Sequence, residues 1–272
     1  MKTELYTIET LTNLHVGAGD INLGVVDNQV QRDAITELPN IHSSSLKGAF
    51  REHFDSKDNS KILVNYIFGS DNSSTDTQAG AYNFFEAQLL TRPVRSDKRA
   101  YFNATSQQAI KNLLEAIDSF GIEFDKDLKD GLKDLLKIKV EDNKPLIFED
   151  IDAILEDEKS KYQKFDSSKL KDLLGDDLAL FSDRDFKDLE LPVIARNQLD
   201  DGVSKNLWYE EVVPKKSKFF FFIGKPDNID PKDNDQKIKG FENRFTKEGE
   251  IVQIGANKSI GYGFCKIKKA SK

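Results

Sequence analysis

The sequence predicts an α+β fold, on three observations. Residues 3–16, TELYTIETLTNLHV, carry Leu5, Tyr6, Ile8, Leu11, Leu14 and Val16 in rough alternation with polar positions, as a half-buried strand does. Between 106 and 190 the apolar spacing changes to three and four, as in Ile110, Leu113, Leu114 and Ile117, which is helical. From 191 onward strand-like runs return and end in strand, glycine loop and strand. One β-rich body, 1–105 with 191–272, is therefore interrupted by a charged helical insertion at 106–190, read as a solvated lid or a subunit-contact module.

Bulk composition bounds the function. The 272 residues, 38% of them hydrophobic, are enough for one large domain with a core. No apolar run approaches the roughly 18 residues of a membrane span, and MKTELYTIET lacks a signal-peptide layout, so a cytoplasmic protein with no membrane partner is expected. The single cysteine, Cys265, excludes an internal disulfide and a cysteine zinc cluster; in GFCKI it reads as a small buried strand residue. Net charge is −7, but residues 123–190 hold 21 acidic against 13 basic side chains, a balance of −8. The other 204 residues thus carry about +1, and the overall acidity does not exclude a nucleic-acid partner.

Along the chain, the first strand is broken by GAGD, where Gly17 and Gly19 permit unusual backbone angles. INLGVVDNQVQRD continues as an extended segment with a bulge at Gly24 and a turn at Asp27-Asn28. ELPNIHSSSLKGAFREHF reads as a strand end and a helix capped by serines 43–45, with Leu46 and Phe50 on one face and Lys47 and Arg51 on another. A polar loop spans 70–80, AYNFFEAQLL is a buried strand, and Arg92, Arg95, Lys98 and Arg99 form a basic connection to a strand at 100–102, suited with Tyr101 and Phe102 to RNA backbone contact. Helical spacing recurs in GLKDLLKI and IDAILEDEKSKY. LPVIARNQLDDGVSKNLWYEEVV is a long hairpin about an Asp-Asp-Gly turn, Phe219–222 fill a core strand, and FENRFTKEG is a short helix or turn.

No Walker loop, HExxH, Cys/His metal spacing or Gly-x-Ser-x-Gly elbow occurs. Lys47 and Arg51 near a helix start suit a phosphate, or are simply a solvated face. GANKSIGYG enters strand rather than helix, so its amides and Lys258 suit phosphodiesters better than a nucleotide triphosphate. His15, His42 and His53 are the only histidines, and no spacing pairs two of them for acid-base ribonuclease chemistry. Asp27 after Val25-Val26 either caps a turn or holds a hard divalent cation against a phosphate.

The order LHVGAG, LGVVDNQVQRD, LPNIHSSSLKGAFR, the FGS loop, GAYNFFEAQLLTRPVRS, LWYEEVVP and QIGANKSIGYG resembles the backbone subunit of type III CRISPR effector complexes, in the RAMP superfamily and of the Cmr type. The resemblance covers residues 5–102 and 191–268, and departs from the family's proline-glycine before the serines at Ile41-His42-Ser43. It implies a ferredoxin-like, RRM-type palm with a protruding β-hairpin thumb at about 193–213. It implies a helical filament of copies along guide CRISPR RNA, with other effector subunits, cutting single-stranded target RNA at regular intervals by metal-dependent attack of the 2′-hydroxyl. Carried over by position, Asp27 is the catalytic aspartate and ligand of a divalent ion, Mg or Mn. His15, Tyr209, Glu210 and Glu211 stand near the cleavage centre. Ser44, Ser45, Lys47 and Arg51 match the guide-binding helix, and Gly255, Asn257, Lys258, Ser259, Gly261 and Gly263 the glycine-rich RNA-binding loop. A non-catalytic RNA-binding scaffold is the alternative, and a standalone guide-processing endonuclease a third reading.

Overall fold

A computed structural model of the chain describes residues 1–19, 25–57, 61–70, 78–97, 99–147, 167–227 and 248–270. The Gly24 bulge, most of the 70–80 loop, Lys98, the helix expected at 151–162 and nearly all of FENRFTKEG lie outside the described residues. In chain order the elements are β1 (Lys2–Thr10), β2 (Asn40–Ile41), α1 (Ser43–Lys57), α2 (Lys61–Phe68), β3 (Asn83–Phe84), β4 (Ala87–Val94), β5 (Phe102–Ser106), α3 (Gln107–Ser119), α4 (Lys126–Leu135), β6 (Leu146–Ile147), α5 (Ser167–Leu174), β7 (Leu178–Phe181), α6 (Asp183–Asp188), β8 (Val193–Asp200), β9 (Val203–Glu211), β10 (Lys218–Lys225), β11 (Glu250–Gln253) and β12 (Phe264–Lys269). The fold is α+β with one large mixed sheet, ordered β11-β12-β1-β10-β4-β5-β7-β6, and a separate β8-β9 pair.

Four consecutive phenylalanines define the centre of that sheet. Side chains alternate across a strand, so Phe219 and Phe221 of β10 join Tyr6, Ile8, Leu46 and Phe50 on one face, while Phe220 and Phe222 join Leu5 and the helical leucines on the other. The register Tyr6↔Phe221 and Ile8↔Phe219 sets β1 beside them, and the rings of Tyr6 and Phe221 stack 5.4 Å apart. A strand covered on both faces is apolar throughout, which is why this run does not alternate in sequence.

The described part of the segment 106–190 is no solvated lid. Leu113, Leu128, Leu132, Leu170 and Leu174 are buried against the second face of the sheet, and β7, from within the segment, pairs in parallel with β5. On its described helices, acidic residues such as Asp127 and Asp130 are solvent-exposed while the apolar stripes are core. The first strand also stops at Thr10, earlier than expected, where its partners β10 and β12 begin opposite Glu9 and Thr10; Leu14 returns to pair with Val213.

Four connections leave the sheet at one end: residues after β1, after β4, before β10 and before β12. The β8-β9 hairpin rises from the same end, closed by Asp201 and Gly202 with φ of +48° and +80°, the positive pair that a two-residue type I′ turn requires. No described helix is long and apolar enough to cross a membrane.

At the other end of β1, Glu4 is buried, accepts from Tyr6 Oη at 2.7 Å, and pairs with Lys225 and Lys269 at 2.5 and 2.8 Å. Burial alone would raise its pKa, but the two lysines and Tyr6 together bring it from 4.5 down to about 2. A depressed carboxylate stabilises the fold above its unfolded pKa and loses that contribution as pH falls through the folded value. The urea midpoint is therefore expected to drop between about pH 4.5 and 2, and Glu4→Gln to flatten that part of the profile; an unaltered slope in the variant contradicts the assignment.

Candidate nucleic-acid interface

Several distant chain segments converge at the base of the hairpin. Strand β9 pairs with β8 along one edge; along its other edge Asn28 bridges Glu210, donating to Tyr209 O at 3.1 Å and accepting from Glu211 N at 2.9 Å. Beside this bridge Asp27 is exposed, and its Oδ2 accepts the Tyr209 amide at 2.7 Å. The carboxylate therefore has a structural attachment through one oxygen and faces solvent beside the root of the hairpin.

Glu210 and Glu211 do not share that exposure. Glu210 is 4% exposed; its Oε2 accepts from Arg196 Nε at 2.5 Å, and its Oε1 accepts from Asn257 Nδ2 at 2.7 Å with His15 Nε2 3.9 Å away. Glu211 Oε2 accepts the Val30 amide at 3.1 Å, and its Oε1 pairs with Arg32. His15 is itself buried, and its Nδ1 lies 2.7 Å from Glu211 O, which places the ring proton on Nδ1 because a carbonyl only accepts. The family resemblance implied all three near the cleavage centre. They are close to Asp27 in the chain's framework, but as buried, engaged groups they are fasteners of the hairpin rather than groups open to a substrate. Tyr209 is the member of the set whose side chain is exposed.

The glycine loop closes over the same network. Gly255 holds φ +79°, and a Cβ there would lie 2.3 Å from His15 O; this close approach lets Ala256 N donate to that carbonyl at 2.9 Å. The amides of Ile260, Gly261, Tyr262 and Gly263 are likewise spent on Asn257, Lys258, Asn257 and Asn13 carbonyls. The expected cradle of loop amides is thus largely consumed by the loop's own folding. Lys258 and Ser259 are exposed, with Lys258 paired to Glu52 of α1 at 2.7 Å across solvent. Arg196 of β8 stacks over Tyr262, 4.8 Å from the ring centre, a second tie between hairpin and loop.

On α1, Leu46 and Phe50 are buried as expected, but the serines do not cap it. Gln31 does that work: its Oε1 accepts the His42 amide at 2.8 Å and its Nε2 donates to Ser45 Oγ at 3.1 Å. Ser44 is exposed and Lys47 partly so. Arg51 differs from Lys47, donating to Gly69 O at 2.7 Å and Asn65 Oδ1 at 3.2 Å, so its guanidinium joins α1 to the end of α2. Arg92 is not in the basic connection but inside β4, 4% exposed; Arg95 alone of that pair is exposed.

Gln31, Arg32 and Arg196 were not singled out in the sequence. Arg196 had a signal: once Asp201-Gly202 fixes the turn, Arg196 stands opposite Trp208 and diagonal to Glu210 on one face. Arg32 had none, since Glu211 lies far along the chain, and nothing in the sequence pattern tied Gln31 to His42 and Ser45. For a divalent ion, no described group of three His, Cys, Asp or Glu side chains is placed to hold one. With both glutamates engaged, Asp27 offers a single carboxylate, which fits a hard cation only where a substrate phosphate and water complete its shell.

The RAMP superfamily profile matches residues 7–266. The chain belongs to the RAMP superfamily. The motif order at 5–102 and 191–268 that pointed there is thereby borne out, and the match runs through the insertion as well. The CRISPR system Cmr endoribonuclease Cmr4 of Pyrococcus furiosus is 28% identical over 288 residues, covering 98% of this chain and 95% of the relative. A chain of a type III-B Cmr-beta complex in its apo state shares the fold with a TM-score of 0.75 at 20% identity, with 98% and 97% of the two chains covered. Oligomeric Cmr4 from Pyrococcus furiosus shares it with a TM-score of 0.67 at 23% identity, with 100% and 99% covered.

Two glycines of this RAMP protein's loop separate backbone freedom from close packing. Gly255→Ala adds a clash with His15 O to the left-handed strain of about 1–2 kcal/mol, and is expected to lower stability by at least about 2 kcal/mol in urea unfolding. Gly261→Ala, at φ +83° with nothing within 4 Å, is expected to cost only about 1 kcal/mol. Equal losses would contradict the docking of the loop on His15.

Proposed function

We propose that this RAMP protein is a backbone subunit of a type III-B, Cmr-type complex that binds guide RNA and cuts complementary target RNA. The reading rests on Asp27, an exposed carboxylate fixed to the root of a protruding hairpin by the 2.7 Å bond from Tyr209 N. The similar proteins support it: one is a Cmr endoribonuclease, another an oligomer of Cmr4, and a further Cmr-beta structure is bound to cognate target RNA. In this reading the main sheet is the ferredoxin-like palm and the β8-β9 hairpin the thumb. Copies stack along the guide, beside other effector subunits, and each hairpin interrupts the guide–target duplex.

Cleavage then follows from geometry. In an A-form duplex the 2′-hydroxyl is not in line with the adjacent phosphorus; a nucleotide displaced by the hairpin is free to become so. The 2′-oxygen attacks that phosphorus, the 5′-oxygen leaves with a proton, and a 2′,3′-cyclic phosphate and a 5′-hydroxyl result. Asp27 accepts the hydroxyl proton, or would hold a divalent ion beside the phosphate. Such an ion, Mg or Mn, would supply charge neutralisation on the phosphate oxygens. Glu210, Glu211 and His15 act as positioning residues that keep the hairpin root and Asp27 in place, and Tyr209 flanks the strand. The guide lies along the exposed Ser44 and Ser259 and the partly exposed Lys47; Lys258 joins them because its exposed pair with Glu52, worth at most about 1 kcal/mol, yields readily to a phosphate. Arg51 supports that surface from behind.

The Tyr209 bond also favours a second reading, in which Asp27 only anchors the hairpin of a non-catalytic scaffold. Asp27→Asn, which keeps an acceptor for Tyr209 N, and Asp27→Ala separate the two. In the assembled complex with Mg2+ or Mn2+, both are expected to slow cleavage of paired target by about 10²–10⁴-fold while guide and target stay bound. Wild-type rates in Asp27→Asn would leave the scaffold reading standing.

A further inference from the structure

Near the hairpin root, Arg92 is a buried cation that makes no ion pair among the described residues. It is 4% exposed, its Nε is enclosed without a hydrogen-bond partner, and among the described residues no carboxylate lies within ion-pair distance of its guanidinium. Burial, then the nearby Arg32, push its pKa down to about 10, with Glu211 opposing. A guanidinium taken out of water is normally matched by an acceptor, and this one lines a cleft of about 970 Å³.

The walls of the cleft are basic. Arg95 and Tyr101 stand on the β4–β5 side, Lys215 and Lys216 in the turn between the hairpin and β10, and Glu190 is the one carboxylate among its lining residues. Lys216 Nζ sits 5.3 Å from the centre of the Tyr101 ring and ties the two walls together. Val193, the first residue of β8, also lines it and pairs with Glu211. Since Asn28 occupies the other edge of β9, the hairpin root stands between the cleft and Asp27.

We infer that this cleft is a second phosphate site, taking a phosphodiester of single-stranded RNA on the side of the hairpin away from Asp27. The inference rests on the RNA-binding reading above and adds a place where the strand is gripped after crossing the hairpin root. Four cations against one carboxylate give the attraction, and the enclosed Arg92 provides planar donors suited to phosphate oxygens. Binding of this kind is indifferent to sequence and weakens with salt.

The test measures binding of a fluorescently labelled single-stranded RNA to the full chain by anisotropy over a salt series. The variants are Lys215→Ala with Lys216→Ala, and Arg92→Gln; Lys111→Ala with Lys139→Ala, two exposed lysines elsewhere, control for net charge. The lysine pair of the cleft is expected to weaken binding roughly tenfold at low salt and to flatten the plot of log affinity against log salt by about 0.7 for each phosphate no longer engaged. Arg92→Gln is expected to weaken binding in the same direction with no fall in melting temperature, because the arginine it removes has no ion-pair partner to strand. Cleft variants that match the charge control in affinity and slope overturn the cleft. Inorganic phosphate that stabilises the wild type but not Arg92→Gln, with RNA affinity equal in both, also overturns it and leaves a free-phosphate site. A wild-type chain that binds no RNA overturns the underlying reading instead, so the two failures are distinguishable.

Discussion

The arrangement at the hairpin root depends on burying two adjacent carboxylates. A two-stranded ribbon has too little apolar face to hold its own orientation, and most of β8 and β9 is exposed. Glu210 and Glu211 supply the anchorage: one engages Arg196 and Asn257 beside His15, the other Val30 and Arg32. Removing a single partner from such a set leaves a buried charge uncompensated, which costs far more than the pair contributes when intact. The angle of the hairpin to the sheet, and with it the position of Asp27, is therefore set by electrostatics at a few buried atoms.

That anchorage also explains why glycine is needed opposite it. Gly255 brings the loop before β12 against His15 O, and only then does Asn257 reach Glu210. The loop, the segment after β1 and the hairpin form one unit, although they come from residues near 15, 210 and 257. Beneath them the central strands of the sheet, packed on both faces through Phe219–Phe222, provide a rigid floor.

Much of this was legible in the sequence where the signal is local. The alternation around Tyr6 and Ile8, the four-residue spacing of Leu46 and Phe50, and the Asp201-Gly202 turn each fix an element from neighbours within a few positions. The parallel pairing of β7 with β5 was not legible, because LALF is a short apolar run that periodicity cannot tell from helix, and its partner lies some seventy residues away. The same limit governs the site. Asp27 stands out as a carboxylate at a bend and Arg196 follows from the hairpin register, whereas the duty of Arg32 exists only once distant segments meet. Arg92 was read as an exposed loop cation on the strength of its basic neighbours; its place inside β4, facing the cleft, is a matter of strand register.

The proposed chemistry turns on whether the hairpin root presents Asp27 to the scissile phosphate. The decisive measurement is a structure of the assembled complex with guide RNA and a target carrying a 2′-deoxy nucleotide at the cut, which removes the attacking hydroxyl and preserves the substrate. The Asp27 carboxylate is expected within direct or single-water reach of the phosphate beside the displaced nucleotide, with Tyr209 N still bound to it. A displaced nucleotide whose phosphate lies against another face of the hairpin, with Asp27 turned to solvent, would contradict that placement.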